Sequence, residues 1–237
     1  VDLSDLPSAF WNEVSSTGGD IRVFTDGFEE VPYELTAFND SSETGALFFK
    51  APSISSSADT RFMIHFGDSG KSAYAADATY GSENVWNANY VMVQHLDEAP
   101  TSTTTDSTSN DHDAMSEGGM NSGDSVAGAI TGNAIEFDGI NDEVEWTASA
   151  VKDLALDATF TVSAWIYSPT EATSESAWGF AGTDDLTLYP FDDFGGNGVR
   201  SFWRNQGFNH INENGSSRSG SWNYFTFVND GEASRRI

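Results

Sequence analysis

The chain has 237 residues, with 37 acidic and 10 basic side chains and a formal net charge of -27. Phosphate binding needs a basic patch, so this charge argues against a nucleic-acid partner, and its sign argues against an anionic membrane surface. Hydrophobic residues make up 38% of the chain, which is enough to bury a core.

Short runs rich in β-branched and aromatic residues recur along the chain, separated by Gly, Asn, Asp and Ser, and each run predicts a strand. The predicted strands are 21–25, 31–37, 46–50, 61–66, 90–96, 134–137, 143–147, 159–167, 177–181, 186–189, 199–203 and 222–228. Helical turns are predicted only at 8–14, after Pro7, and at 82–87. Many short strands with frequent turns predict an all-β fold built from sandwiches.

The predicted strand 159–167 alternates most clearly. Phe160, Val162, Ala164 and Ile166 fall on one face, because successive side chains of a strand point to opposite sides. Trp165, in the middle of this strand, is predicted to be a core or near-core aromatic residue.

Residues 100–127 form a stretch rich in Thr, Ser, Asp, Gly and Asn, with almost no large apolar side chain. This composition fits a linker between domains and equally fits a long surface loop within the second domain. The length of the stretch favours neither.

Motifs within residues 1–90 resemble a known extracellular module. "VDLSDLPSAFWNEVSSTGGDIRVFTDG", "VPYELTAFN", "TGALFFKAPSIS", "ADTRFMIHFGDSG" and "ADATYGSENVWNANYV" follow in the order found in the domain of unknown function DUF2341. The resemblance implies a β-sandwich over 1–87, as found in large surface proteins. The first strand of that module is expected to precede residue 1.

The following residues resemble a LamG-like jelly roll of the concanavalin A type. The motifs are "YVMVQHLDEAP", "DSTSNDHDAMSEG", "GNAIEFDGINDEVEW", "LALDATFTVSAWIYSPT" and "GSWNYFTFVNDGEASRRI". The resemblance implies a jelly roll over 88–237 that lacks its last strands, and it makes 100–127 a loop plus an early strand. The chain is therefore expected to be an internal piece of a longer polypeptide.

The strong acidity has three readings: solubility in salt, as in a marine or halophilic source, divalent-cation binding, or a generic acidic extracellular surface. Oxygen-rich side chains cluster in two loops, and similar jelly rolls often bind structural Ca²⁺ near such loops. The candidate calcium ligands are Asp106, Asn110, Asp138, Asn141 and Asp142. The alternative is that these residues form Asx turns without an ion.

Sugar binding would use an exposed aromatic side chain beside polar ones. The candidate ligand-binding residues are Trp178, Tyr189, Trp203 and Asn209. The alternative is that the Trp side chains belong to the core of the sandwich.

Catalytic patterns are weak. A glycosidase needs two carboxylates, and Glu143 and Glu145 share a strand face, but the third acid of the strand motif in one glycosidase branch of this fold is missing. No nucleophile-elbow motif is present, the histidines are scattered, and His65 and His95 are expected to be hydrogen-bonded strand residues. Cysteine is absent, which removes disulfides, thiolate zinc sites and cysteine nucleophiles.

These observations favour a non-enzymatic segment, at a cell surface or on a virion, that binds cell-surface glycan or protein. Its expected partners also include neighbouring modules of the longer chain and identical copies. One alternative is a structural spacer in a stalk, filament or viral tail fibre. A second alternative is a glycoside hydrolase of the concanavalin-like class.

Overall fold

The computed structural model describes residues 1–130, 132–146, 159–169, 178–180, 186–192, 198–203, 207–212 and 219–229, with backbone alone between 178 and 212. The chain divides into two compact units, Val1–Trp146 and Thr147–Ile237. The predicted boundary between residues 87 and 88 falls inside the first unit, and the division into two tandem sandwiches stays a prediction.

The all-β prediction is confirmed. Most of the regular structure consists of strands in several antiparallel sheets, and only 9% of the structure is helical. Within the described residues, no helix is long and apolar enough to span a membrane.

The first unit begins with two short helices. A 3-10 helix covers Leu3–Asp5, and α1 covers Ser8–Glu13 after Pro7, which confirms the predicted helical turn. Proline suits the entry to a helix because its fixed φ and missing N–H cost nothing there. The second predicted turn is a 3-10 helix at Ser82–Asn84, and a third short one lies at Ser122–Asp124.

The strands of this unit form small antiparallel sheets. Their bounds are β1 Arg22–Thr25, β2 Glu30–Val31, β3 Tyr33–Asn39, β4 Thr44–Phe49, β5 Phe62–His65, β6 Met115–Glu117, β7 Ser125–Ala127, β8 Asn133–Ile135 and β9 Glu143–Glu145. The order β2-β1-β5 makes a three-stranded sheet, and β3-β4, β6-β9 and β7-β8 are pairs.

One hydrophobic core packs α1 against the strands β1, β2, β3 and β4. Its buried members are Leu3, Phe10, Trp11, Val14, Ile21, Val23, Val31, Tyr33 and Leu47. Phe10 and Trp11 meet edge to face with ring centroids 4.9 Å apart, a favoured aromatic geometry. The short helix is therefore held by burial of two aromatic rings rather than by its own length.

The prediction of a strand at 90–96 is wrong. Only Gln94 pairs there, in an isolated bridge to Asp106, and Leu96 has a positive φ of 56° that interrupts an extended chain. The amide of Val93 donates to the Asp106 side chain instead of to a neighbouring strand. Residues 91–96, whose composition predicts a strand, are instead partly buried, and the loop that contains Asp106 packs against them.

Residues 100–127 are folded into the first unit. Thr104 and Ala114 are fully buried and exchange two backbone hydrogen bonds. The strands β6 and β7 lie in the same stretch, where the residue pattern predicts no strand and the LamG-like resemblance implies one early strand. An unstructured linker does not fit these observations, because it would leave the backbone solvated.

The second unit contains β10 Phe160–Tyr167, β11 Trp178–Phe180, β12 Leu186–Asp192, β13 Gly198–Trp203, β14 Gly207–Asn212 and β15 Trp222–Asn229. The order β11-β12-β13-β14 makes a four-stranded sheet, and β10 pairs with β15. The strand β14 is the one that the sequence does not predict.

The alternation predicted for β10 is largely confirmed: Phe160, Val162 and Ile166 are partly buried, although Ala164 is exposed. The prediction that Trp165 is a core or near-core residue is wrong, since its side chain is 46% exposed. A strand with large residues on both faces can bury either one, and here the Trp165 face is the outer one.

A matched pair of isoleucines tests this core. Ile21 is fully buried and Ile54 is 75% exposed. We expect Ile21→Ala to lower the free energy of unfolding by about 2–5 kcal/mol through lost burial and a cavity, and Ile54→Ala to change it by less than about 0.5 kcal/mol. Urea unfolding measures both, and equal losses would contradict the placement of the core.

Candidate functional site: an exposed aromatic face and a buried acidic cluster

The outer face of the β10–β15 ribbon carries four aromatic side chains in two cross-strand pairs. Trp165 lies opposite Tyr224 and Tyr167 opposite Trp222. The ring centroids are 5.2 Å apart in the first pair and 5.7 Å in the second. We call these four residues the aromatic ladder.

The aromatic ladder is open to solvent. Trp165 and Tyr167 are each 46% exposed, Tyr224 is 58% exposed, and Trp222 is partly buried. The two planes within each pair are tilted by 49° and 54°, so the rings lie beside one another rather than stacked face to face.

A polar row adjoins the ladder on the same face. Ser163 lies opposite Thr226, and their hydroxyl oxygens are 3.1 Å apart, within hydrogen-bond distance. The face thus combines aromatic rings with hydroxyl groups that both donate and accept hydrogen bonds.

The four predicted ligand-binding residues lie in the four-stranded sheet of the same unit. Trp178 is on β11, Tyr189 on β12, Trp203 on β13 and Asn209 on β14. The backbone therefore gathers them into one sheet, but their side chains lie outside the described part. Their role in binding stays a prediction. The sequence signal for the ladder itself was the alternation of β10 and β15, whose outer positions hold Trp and Tyr.

The first predicted calcium loop is closed by its own hydrogen bonds. The Asp106 carboxylate accepts from the amides of Val93, Thr108 and His112 at 3.0 Å each and from the Thr108 hydroxyl at 2.9 Å. A carboxylate has about four lone-pair positions, so these donors use them all. Asp106 is 5% exposed, and these hydrogen bonds give it a structural role, whereas its role as a calcium ligand stays a prediction.

Asn110 closes the same loop from the other side. Its side-chain nitrogen donates to the carbonyl oxygens of Tyr90 and Val91 at 3.2 and 2.9 Å. The loop therefore anchors residues 90–93, and this accounts for its Asp and Asn residues without an ion.

The second predicted calcium loop is a compact turn. Asp138 Oδ1 accepts from the amides of Ile140 and Asn141 at 2.7 and 3.3 Å, and Asp142 Oδ2 accepts from the Asp138 amide at 3.0 Å. The other oxygen, Asp142 Oδ1, is buried without a hydrogen-bond partner. Among the described residues, no three His, Asp or Glu side chains form a group that could hold a metal ion, and calcium stays a prediction.

An acidic row appears on the β6–β9 ribbon. Glu117 lies opposite Glu143, and Glu145 follows on the same face, all three exposed. Sequence reasoning missed Glu117 because it comes from a distant strand. Like charges opposite one another weaken a ribbon. A glycoside hydrolase that uses these residues stays the alternative it was in the sequence analysis.

A buried ionic cluster lies between β3, β4 and residues 86–98. Glu34 is 7% exposed, and its Oε2 lies 3.2 Å from His95 Nε2 and accepts from Trp86 Nε1 at 2.9 Å. The His95 ring also contacts Phe48, with centroids 4.9 Å apart. Glu34 thereby joins the β3–β4 hairpin to the segment that contains His95.

The surroundings favour protonation in this cluster. Burial opposes a charge on His95, but the hydrogen bond and charge of Glu34, helped by Asp97 and Glu98, outweigh it and raise the His95 pKa above 6.5. Burial, reinforced by the charge of Glu98, raises the pKa of Asp97 above 3.8. Both groups bind protons more tightly in the folded chain than in the unfolded one.

Comparison with known proteins gives no match: no protein-family model, curated protein or solved structure matches this chain. The resemblances to DUF2341 and LamG-like modules stay predictions.

The Asp106 hydrogen bonds lead to a prediction about stability. We expect Asp106→Asn to lower the free energy of unfolding by about 1.5–3 kcal/mol. The substitution removes the negative charge of the group to which three backbone amides donate hydrogen bonds. The exposed Asp59→Asn variant serves as the control and should change little. Thermal unfolding in Ca²⁺ and in a chelator measures this, and a loss that appears only in Ca²⁺ would contradict the structural role.

The Glu34–His95 pair leads to a prediction about pH. Because the folded pKa of His95 is raised, its contribution to stability is complete below pH 6.5 and is lost as the pH rises through the folded pKa. The raised pKa of Asp97 acts in the same direction, starting above pH 3.8. We therefore expect the free energy of unfolding to fall as the pH rises above 6.5.

The control for this prediction is His65→Gln, which replaces an exposed histidine of β5. Urea unfolding across this range should give a clearly flatter profile for His95→Gln than for the wild type, whereas His65→Gln should follow the wild type. Parallel profiles for all three proteins would show that His95 does not carry the effect.

Proposed function

We propose that this chain is a non-enzymatic recognition segment of an extracellular adhesion protein, and that the aromatic ladder is its binding surface for cell-surface glycan or protein. The observation that supports this is a cluster of four Trp and Tyr rings on one sheet face, three of them exposed and Trp222 partly buried. Contiguous apolar surface in contact with water is unfavourable, and where it persists it marks an interaction site.

The residue types support the same proposal. Trp and Tyr combine a large apolar body with a polar tip and lose little conformational entropy when they are fixed, so they are enriched at binding surfaces. The strands that present them are paired along eight residues each, which fixes the backbone beneath the rings. A rigid support of this kind lowers the entropic cost of binding.

A structural spacer is the second candidate, and the same exposed face favours it if a neighbouring module or an identical chain covers the ladder. The two candidates differ in what removes the rings from water. A spacer buries them against its own protein, and a recognition segment leaves them free for a ligand on another surface.

Two ladder variants test the proposal. We expect fluorescently labelled wild-type chain to bind at least one of a panel of bacterial, archaeal and animal cell surfaces, and Trp165→Ala and Tyr224→Ala to weaken that binding about ten-fold. Phe28→Ala removes an aromatic side chain that is 70% exposed in the first unit and should leave binding unchanged.

Light scattering on the same samples separates the spacer from the recognition segment. Self-association that requires Trp165 and Tyr224, without binding to any cell surface, would favour the spacer. Equal binding by the wild type and both ladder variants would contradict a role for this face.

A further inference from the structure

We infer that the ligand of the aromatic ladder is an uncharged glycan, bound with the faces of its sugar rings on the Trp165–Tyr224 and Tyr167–Trp222 pairs. This inference rests on the recognition role proposed above. It specifies the class of ligand, which that proposal leaves open between glycan and protein.

The first argument is the absence of charge on the ribbon. The β10 and β15 sequences, FTVSAWIY and WNYFTFVN, contain no Asp, Glu, Lys or Arg, although 20% of the chain is charged. Sulfated or carboxylated sugars are recognised through Arg and Lys, which pair with the anionic groups. The two strands themselves offer no such partner, so an anionic group over the ladder would lose its hydration without compensation from them.

The ring arrangement also argues against a cationic ligand. Cations bind where several aromatic faces surround them, commonly in a cage. The four rings here lie side by side along a ribbon, at tilts of 49° and 54° within the pairs, and the strands carry no carboxylate. An open row of rings suits an extended ligand that lies across it.

The second argument is size. The eight paired residues of β10 and the eight of β15 cover about 27 Å by about 10 Å, or roughly 270 Å², from the usual rise and spacing of strands. A specific protein–protein interface buries about 800 Å² on each partner. The uncharged face is therefore too small for a typical protein interface and matches a short stretch of a linear ligand.

The third argument is chemical complementarity. An aromatic face carries partial negative charge, and the C–H groups on the face of a pyranose ring carry partial positive charge, so the two attract while both leave water. The hydroxyl groups of a sugar need hydrogen-bond partners at the edge of that contact. The adjoining Ser163 and Thr226 hydroxyls, 3.1 Å apart, and the phenol groups of the ladder tyrosines provide them.

A glycan array with matched neutral, sulfated and sialylated oligosaccharides tests the inference on the full chain. We expect binding to neutral oligosaccharides of several sugar rings and at least ten-fold weaker binding to their sulfated or sialylated counterparts. Trp165→Ala and Tyr224→Ala should each weaken binding to the neutral probes about ten-fold, which corresponds to about 1.4 kcal/mol. Trp165→Phe keeps a ring and should retain most of the binding, and thermal unfolding checks that each variant is folded.

Treatment of the cells separates this inference from the broader proposal. Periodate, which cleaves sugar rings, should abolish ladder-dependent binding to cells, and protease treatment should leave glycolipid-bound or polysaccharide-bound ligand in place. Ladder-dependent binding that survives periodate and is lost to protease would overturn the glycan inference and leave the recognition proposal standing. Preferential binding to anionic glycans would overturn the inference as well. If the ladder variants bind every cell as strongly as the wild type does, both the inference and the recognition proposal are contradicted.

Discussion

The first unit depends on three buried carboxylates, each of which accepts hydrogen bonds from distant parts of the chain. Asp20 accepts from the amides of Ser15 and Gly67 at 2.9 and 2.7 Å, Glu34 binds Trp86 and His95, and Asp106 binds three amides and a hydroxyl. A buried charge without partners would cost several kcal/mol. These contacts therefore specify how loops are placed over the core, in a unit whose sheets are too small to do so alone.

The second unit shows the opposite use of charge. In a chain with a net charge of -27, the paired strands β10 and β15 contain no charged residue and present Trp and Tyr to solvent. Acidic residues elsewhere keep the surface hydrated and discourage non-specific association. This contrast allows one apolar face to stay exposed to water while the acidic surface elsewhere repels neighbouring molecules.

Much of the strand content could be predicted from the sequence, because β-branched and aromatic runs bounded by turn residues reflect local backbone preferences. β1, β4, β10 and β15 lie close to where the pattern predicts them. The residue pattern does not predict β6 and β7, since MSE and SVA are only three residues long and carry no clear alternation, and β6 pairs with β9, far along the chain. The region 90–96 has strand-like composition, but the amide of Val93 donates to the Asp106 side chain instead of to a neighbouring strand.

The candidate site, too, could be predicted from the sequence only in part. The alternation of β10 by itself determined that Trp165 and Tyr167 share one face and that Phe160, Val162 and Ile166 share the other. Only the tertiary structure decided which face meets water, because a period of two defines both faces equally and burial depends on what packs against them. It also decided that Glu34 meets His95 and that Tyr224 meets Trp165, since such pairs arise from the path of the chain rather than from local spacing.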